Sequence, residues 1–476
     1  MKPLRTRFAP SPTGFLHVGG IRTALFAWLL ARQAADGKFV LRFEDTDKKR
    51  EVEGARDHLM ASLRALGLDY DEGPDIGGPF APYVQSERLD SYKQWAEKLI
   101  TSGRAYADPY SAEEVDIFRQ QARAAKRAFL YRHHRPENPP AWDGTMPLRF
   151  KSDPKAYTWH DEVMGDLKTG PEVIDDFILI KSDGYPTYNF AHVIDDAEME
   201  ISHIIRGQEF LASVPNYLNL YEALELTPPR MATVPHILGP DGNKKLSKRD
   251  GAKDVLDYIR DGYLPDALIN FIASLGWNDA TEQEIFSRQE LIEKFSMDHV
   301  QKSGARFDER RLEWLNGAYI RAMPLDQLSA AVTSFWPAEA SEYDQTYRLS
   351  VLGLVQERLK YFAELPELTR FFFIDLPINP ELISGHKQLK RLSTSEVRDL
   401  LLQAQASLSA SDFTPEDLIE RLNGLLEATS QKPAVVFSLV RIATTQAAAS
   451  PGLAESLSVL GSECSLRRLQ AQIDAL

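Results

Sequence analysis

The run FAPSPTGFLHVGG, from Phe8 to Gly20, limits what this chain can fold into more than any other stretch. Pro10, Pro12 and Gly14 exclude a helix there, because proline removes backbone donors and fixes φ while glycine tolerates turns. Before it, Leu4 to Phe8 reads as a first strand. After it, IRTALFAWLLARQAADG places apolar residues at helical spacing from Ile21, and Gly37 marks the stop. The segment therefore reads strand, rigid turn, and then His17-Val18-Gly19-Gly20 opening a helix. Two glycines let a ligand approach the backbone, and a helix N-terminus offers free N–H groups to a phosphate. Neither the P-loop pattern nor GxGxxG is present. Taken alone, the run is a strand–turn–helix corner of an α/β sheet as readily as a nucleotide site.

Composition narrows the class. A chain of 476 residues suggests about two to four domains. Its 43% hydrophobic and 26% charged content is the balance of a soluble globular protein. No apolar run reaches the length of a membrane span, and MKPLRTRFAP lacks the apolar region of a signal peptide, so a cytoplasmic protein with no membrane partner is expected. The one cysteine, Cys464, excludes internal disulfides and any multi-cysteine zinc site. The net charge of −14 argues against nucleic-acid binding only on average, since binding needs just a local basic face.

Along the chain, KFVLRFEDTD reads as a buried strand, Phe39 to Phe43, that ends in acid. In an open α/β sheet ligands sit beyond the carboxyl ends of strands, where Glu44 falls; a solvated strand end or helix cap is the plainer alternative. Ser86 to Gly103 is amphipathic and helical. Phe177 to Lys181 reads as a strand, Asp183-Gly184 as a turn, and Tyr185 to Ile194 as a polar, aromatic sheet edge. ISHIIRGQEF is a further strand ending in charge, at Arg206 and Glu209. In PHILGPDGNKKLSKRDGA, Lys244, Lys245, Lys248, Arg249 and Lys253 crowd a glycine-containing loop. Beyond Met323 the text is rich in Leu, Ala, Glu and Gln, with helix starts such as Thr414-Pro415-Glu416, and reads as all-α.

These segments carry a resemblance. FAPSPTGFLHVGG resembles the signature of class I aminoacyl-tRNA synthetases as used by the glutamyl and glutaminyl branch. There APSPTG precedes a variant of the HIGH motif, here HVGG, with Gly20 in place of the final histidine, a departure of the glutamyl type. RFEDTD, GYPTYN and IRG match further segments of that family, and KLSKR resembles its KMSKS-type loop. Their order, from residue 5 to residue 250, identifies the chain as a member of the bacterial glutamyl type. The resemblance implies an α/β fold: a class I synthetase Rossmann-type parallel sheet with an inserted acceptor-binding α+β domain, then an all-α C-terminal anticodon-binding region. The implied domains are 1–85 and 177–251 for the two catalytic halves, 86–176 for the insertion, 252–322 for a helical stem-contact domain, and 323–476 for the anticodon-binding region.

The resemblance also implies a reaction, the ATP-dependent activation of L-glutamate to glutamyl-adenylate followed by transfer to the terminal adenosine of tRNA(Glu). Carried over by position, Arg7, Ser11, Glu44, Tyr188, His192 and Arg206 would bind glutamate. His17, Gly19, Gly20, Glu209, Leu238, Lys245, Ser247 and Lys248 would bind ATP, with His17, Lys245 and Lys248 catalytic. The residue types suit these tasks. A carboxylate accepts charge-assisted hydrogen bonds from an ammonium, the planar arginine fork matches a substrate carboxylate, and lysines on a mobile loop stabilise charge building on pyrophosphate. Mg²⁺ is expected on the phosphates. Where many bacterial relatives carry a cysteine-rich zinc knuckle, this chain has AYADPYSAEE, and His133, His134 and Asp108 are not read as ligands, so no zinc and no protein-held metal are expected. In the helical tail, Gln356 falls where anticodon-discriminating relatives carry an arginine, which opens charging of tRNA(Gln) as an alternative, and Arg358 is a second anticodon-contact candidate. A monomer is expected. A glutamine-specific enzyme and a non-catalytic tRNA-binding paralogue remain as other readings; the intact HVGG and KLSKR segments stand against the second.

Overall fold

The computed structural model describes residues 3–246 and 253–476. They divide into two compact units, Met1–Ile259 with Pro265–Glu309, and Arg260–Leu264 with Arg310–Leu476.

The first unit is built on β1 (Arg5–Phe8), β2 (Lys38–Leu41), β3 (Ala105–Ala107), β4 (Leu148–Phe150), β5 (Tyr157–Asp161), β6 (Gly165–Thr169), β7 (Ile178–Ile180), β8 (His203–Gly207) and β9 (Arg230–Val234). The larger sheet runs β2-β1-β8-β9-β5-β6. β1 pairs in parallel with β2 on one side and with β8 on the other. β8 pairs in parallel with β9, β9 with β5, and β6 closes the edge as an antiparallel hairpin partner of β5. β1 is buried throughout, as a strand covered on both faces must be. Because the chain leaves β1 towards β2 and later returns on the other side as β8, the crevice beyond their carboxyl ends is a topological switch point.

The helix Val18–Gln33 covers this sheet, as its apolar spacing predicts, with Ile21, Ala24, Leu25, Phe26 and Leu29 fully buried. His17 caps it by accepting from the Gly19 N–H. At Gly20 an added Cβ would lie 2.7 Å from Leu16 Cδ1, so a larger residue there would have to displace the Leu16 side chain.

A second, three-stranded sheet of order β3-β4-β7 is antiparallel. The hairpin β5–β6 lies within 86–176 yet extends the parallel sheet, whereas β7, at the start of 177–251, belongs to the smaller one. The expected sheet edge at Tyr185 to Ile194 is instead largely the helix Tyr188–Glu198. Pro186 and the Thr187 hydroxyl, which donates to Ile178 O, turn the chain out of β7. Phe190, Ala191, Val193 and Ile194 then bury one helical face. The short strands β10 (Ile237–Leu238) and β11 (Ala305–Arg306) pair in parallel.

The second unit is helical, with no strand among its described residues, as the tail's composition predicts. The helices Thr394–Ser409, Pro415–Thr429, Pro433–Thr445 and Leu453–Asp474 enclose a core that includes Leu401, Leu408, Leu418, Val436, Leu439, Leu457 and Leu469. Ser393 and Glu396 form a reciprocal capping box, and Thr414 caps a helix with Pro415 in its first turn.

Leu25, fully buried on the helix Val18–Gln33, tests the first unit's core. Leu25→Ala is expected to destabilise that unit by about 2–5 kcal/mol, seen as a lower midpoint in chemical denaturation.

Candidate active site

The switch point opens into a cavity of about 290 Å³. Its walls come from the ends of the parallel strands and the turns that follow them: Arg7 to Ser11 after β1, Glu44 after β2, Arg206 to Phe210 after β8, and Val234 to Ile237 after β9. The start of the helix Val18–Gln33, Tyr188 and Lys245 complete it.

One wall carries an alternating chain of charge. Arg7 donates through Nε to Asp196 Oδ1 at 3.1 Å and through Nη2 to Oδ2 at 3.3 Å. Asp196 Oδ1 also accepts from Arg42 Nη1 at 2.8 Å, and Arg42 Nη2 donates to Glu44 Oε1 at 2.9 Å. Burial pushes Glu44 up to about 7 against the pull of Arg42 and Arg7. Burial would also raise Asp196, but Arg7 and Arg42 together outweigh it and hold this carboxyl well below its usual range.

Arg206 stands differently. Its guanidinium lies over the Tyr217 ring at 5.1 Å and Nη2 reaches Met231 Sδ at 3.5 Å, but Nη1 is buried with no hydrogen-bond partner. A buried cation left with an open N–H favours an anion placed against it.

Aromatic rings order the space between. Tyr188 stacks on His192 at 4.7 Å and 12°, and meets Phe210 at 5.2 Å. His192 itself is buried behind Tyr188, off the cavity wall. Its Nδ1 pairs with Tyr188 O at 2.8 Å, which places the proton on Nδ1, and its edge packs on Tyr217. Burial pushes this imidazole down to about 3, so it stays neutral.

At the other end of the cavity, His17 Nδ1 accepts from the Gly19 N–H at 3.2 Å. A neutral ring so bonded carries its proton on Nε2. Lys245 Nζ pairs with Glu209 Oε1 at 3.2 Å, and His236 Nδ1 lies 3.7 Å from Glu209 Oε2. Burial acts to raise Glu209, but its own backbone N–H and Lys245 bring it below the usual carboxylate value. The pair is about half exposed, so it is weak and easily exchanged.

Of the residues expected at the site, the cavity brings together Arg7, Ser11, His17, Gly19, Gly20, Glu44, Tyr188, Arg206, Glu209 and Lys245. Leu238 lies in β10, bridged to Lys245 rather than on the wall. Ser247 and Lys248 lie outside the described residues. Sequence reading missed Arg42 and Asp196 under the wall, and Arg22 and His236 on it. An arginine inside the apolar run KFVLRFE was the available signal for Arg42. Arg22 donates to Leu275 O at 2.9 Å and to Pro235 O, and burial pushes it down to about 10.

Two further places bear on the expectations. In the small sheet, Asp108 takes two hydrogen bonds from Arg149 and one from the Tyr131 hydroxyl. Asp176 takes a fork from Arg135 and bonds from Tyr106 and Ser152. In the helical unit, Gln356 Nε2 donates to Ile320 O at 3.0 Å and Met323 O at 2.8 Å, closing the end of the helix Glu309–Ala322. Arg358 is exposed there, close enough to Arg441 that its charge adds to burial in lowering the latter.

Comparison with known proteins agrees with this geometry. Residues 3–314 match the family model described as tRNA synthetases class I (E and Q), catalytic domain, and residues 321–473 match the anticodon binding domain. The chain is 40% identical over 482 residues to a glutamate–tRNA ligase of Dehalococcoides mccartyi, covering 99% of this chain and 98% of that one. A glutamate–tRNA ligase of Clostridium botulinum is 41% identical over the same shares. Among solved structures, a glutamate tRNA ligase of Elizabethkingia meningosepticum in complex with its amino acid superposes with a TM-score of 0.86 at 32% identity, covering all of both chains. With its catalytic and anticodon-binding parts both matched, the chain belongs to the class I tRNA synthetases, in the branch that serves E and Q, on the side of the glutamate–tRNA ligases.

Proposed function

We propose that this ligase activates L-glutamate with ATP and passes the glutamyl group to the terminal adenosine of tRNA(Glu). The observation that carries the choice of amino acid is Arg206, a buried arginine with no carboxylate partner among the described residues, on the same cavity as Arg7 and Glu44. Two arginines and one carboxylate complement two carboxylates and one ammonium, the charges of glutamate; glutamine offers one carboxylate fewer.

In the first step a glutamate α-carboxylate oxygen attacks the α-phosphorus of ATP. The new P–O bond forms as the bond to the bridging oxygen breaks, and pyrophosphate leaves. Glu44 takes the ammonium of the substrate, and the arriving cation draws it to its ionised form. Arg7 and Arg206 hold the two carboxylates, with Ser11 and Tyr188 beside them and His192 fixing Tyr188 from behind. His17 donates from Nε2 to the nucleotide, Gly19 and Gly20 leave room for it at the helix start, and Glu209 with Leu238 borders it. Lys245 exchanges its weak pairing with Glu209 for the departing phosphates, joined by Lys248 and the Ser247 hydroxyl. In the second step the terminal ribose hydroxyl attacks the mixed anhydride, loses its proton, and AMP leaves. Positioning and charge do this work, with no covalent enzyme intermediate. The described residues gather no cluster of three or more acidic, histidine or cysteine side chains for a metal ion; Mg²⁺ would enter on the phosphates and neutralise their charge.

For tRNA, the helix Ala112–Ala124 and its exit carry Arg119, Arg123, Lys126 and Arg127 around a shallow cavity beside Phe129, a surface suited to phosphates and an unstacked base. With the Gln356 amide engaged, the anticodon falls to Arg358 and Arg441. The small sheet stands on the Asp108 and Asp176 networks and needs no zinc. No described helix is long and apolar enough to cross a membrane, and the enzyme acts in the cytoplasm as a monomer.

The reading is tested by offering labelled glutamate or glutamine, with ATP and magnesium, to purified tRNA(Glu) and tRNA(Gln). Glutamate is expected on tRNA(Glu). Its appearance on tRNA(Gln) as well would mark a relaxed enzyme, and glutamine as the sole substrate would overturn the pocket. Arg206→Leu removes the waiting charge and is expected to raise the glutamate KM about 10- to 100-fold, with the ATP KM little changed. Removal of metals with a chelator, then return of magnesium alone, is expected to restore full charging; a requirement for added zinc would count against the ion-pair account of the small sheet.

A further inference from the structure

Arg42 and Asp196 touch no part of the cavity, and both are fully buried. They are nevertheless the middle of a chain, Arg7–Asp196–Arg42–Glu44, whose two ends do line it. The four residues come from three elements: Arg7 from β1, Arg42 and Glu44 from the run after β2, and Asp196 from the helix Tyr188–Glu198. Each terminal Arg42 nitrogen has its own carboxylate, Asp196 for Nη1 and Glu44 for Nη2. Asp196 is likewise divided, accepting from Arg7 and from Arg42.

The neighbouring Asp195 shows that mere neutralisation of Arg42 does not require this arrangement. Asp195 lies 3.6 Å from Arg42 Nε, but its oxygens are already taken by Arg88 at 2.8 Å, Gln85 at 2.8 Å and Tyr92 at 2.9 Å. A buried ion pair is a weak source of stability, because desolvation offsets the attraction, whereas its geometry is sharply defined. Here that geometry fixes where a cation and an anion stand on the cavity wall.

We propose that Arg42 and Asp196 are positioning residues for amino-acid recognition, a buried couple that sets the spacing and charge of Arg7 and Glu44 so that together they receive a zwitterion. This rests on the glutamate reading above. Arg42 acts on Glu44 directly, while Asp196 holds the Arg7 fork and the far side of the Arg42 fork. The charged and titratable groups facing Glu44 are Arg42 beside it, Arg7 on β1, Asp196 and Tyr188 on one helix, and Tyr217 on the helix Val214–Ala223. Loss of the Arg42 charge therefore favours protonated Glu44, and loss of the Asp196 charge favours ionised Glu44.

The experiment measures glutamate-dependent charging of tRNA(Glu) across pH for the full-length wild type, Arg42→Gln, Arg42→Lys and Asp196→Asn, with KM for glutamate and for ATP. In the wild type, kcat/KM for glutamate is expected to fall as pH drops through about 7, where Glu44 takes a proton and can no longer meet an ammonium. Arg42→Gln should move this limb to higher pH and Asp196→Asn to lower pH, each raising the glutamate KM about tenfold or more. The ATP KM should change little. Arg42→Lys restores a cation but has one nitrogen where two are bridged, so its limb should return towards the wild type while KM stays raised. Should Arg42→Gln fail to fold, the split between limb and KM in Arg42→Lys carries the test. Loosened packing would instead wet Glu44 in every variant and shift all limbs to lower pH. That outcome, or a glutamate KM equal to the wild type, overturns the proposal. If the wild type itself does not charge glutamate, the function has failed rather than the positioning role.

Discussion

The fold around the site depends on one buried cation. Arg42 is withdrawn from water completely and lies among Asp195, Asp196 and Glu44. Moving one such ion out of water costs several kcal/mol even after relaxation, so the arrangement holds only while every partner stays in place. The partners reach far. Asp195 continues to Gln85, Arg88 and Tyr92, and Asp196 to Arg7 on β1. A single network thus clamps the helix Tyr188–Glu198 to the parallel sheet on one side and to the helix Leu89–Thr101 on the other. Any shift of the cavity wall that parted one of these pairs would leave a buried charge unpaired, which opposes such a shift.

From that constraint the layout of the site follows. β1 and β8 are neighbours, so Arg7 at the end of one and Arg206 at the end of the other open on the same crevice. The turn after β1 cannot be helical until its prolines are passed, and His17 caps the helix that follows. The cap makes Nδ1 the acceptor of the Gly19 N–H, so one local event starts the covering helix and orients the ring. Gly20 lies in the same turn, with the tip of Leu16 packed where a side chain would begin.

How much of this was legible in the sequence depended on distance along the chain. The turn at Pro10–Gly14, the helix after it and the acid beyond β2 are written in contiguous text, and each falls where its local chemistry predicts. The helical tail was legible for the same reason, since caps such as Ser393 and Thr414 act within a single turn. Asp196 was not, because its partner Arg42 lies 154 residues away and nothing near VIDD announces an arginine beneath it. The helix at Tyr188 was misread because GYPTYN looks like strand and turn until the buried face of Phe190, Val193 and Ile194 has something to pack against. The positions of β5 and β7 in different sheets, and the engagement of Gln356 with Ile320 and Met323, are likewise settled by contacts that local pattern does not contain.

Two kinds of charge share the cavity, and the difference bears on how a substrate is chosen. Arg7 and Glu44 are bound into a network before any ligand arrives, so their positions are set in advance and little reorganisation remains when substrate binds. Arg206 is held by an aromatic face and a thioether, neither of which satisfies Nη1. An open, buried N–H is a cost carried by the free protein. A ligand with an anionic oxygen at that point removes the cost, and one with a carboxamide turned the wrong way does not. In the proposed reading the fixed pair would receive what all amino acids share, an ammonium and a carboxylate, and the unsatisfied arginine would reward what distinguishes one of them. Discrimination would then come from the group the fold leaves incomplete.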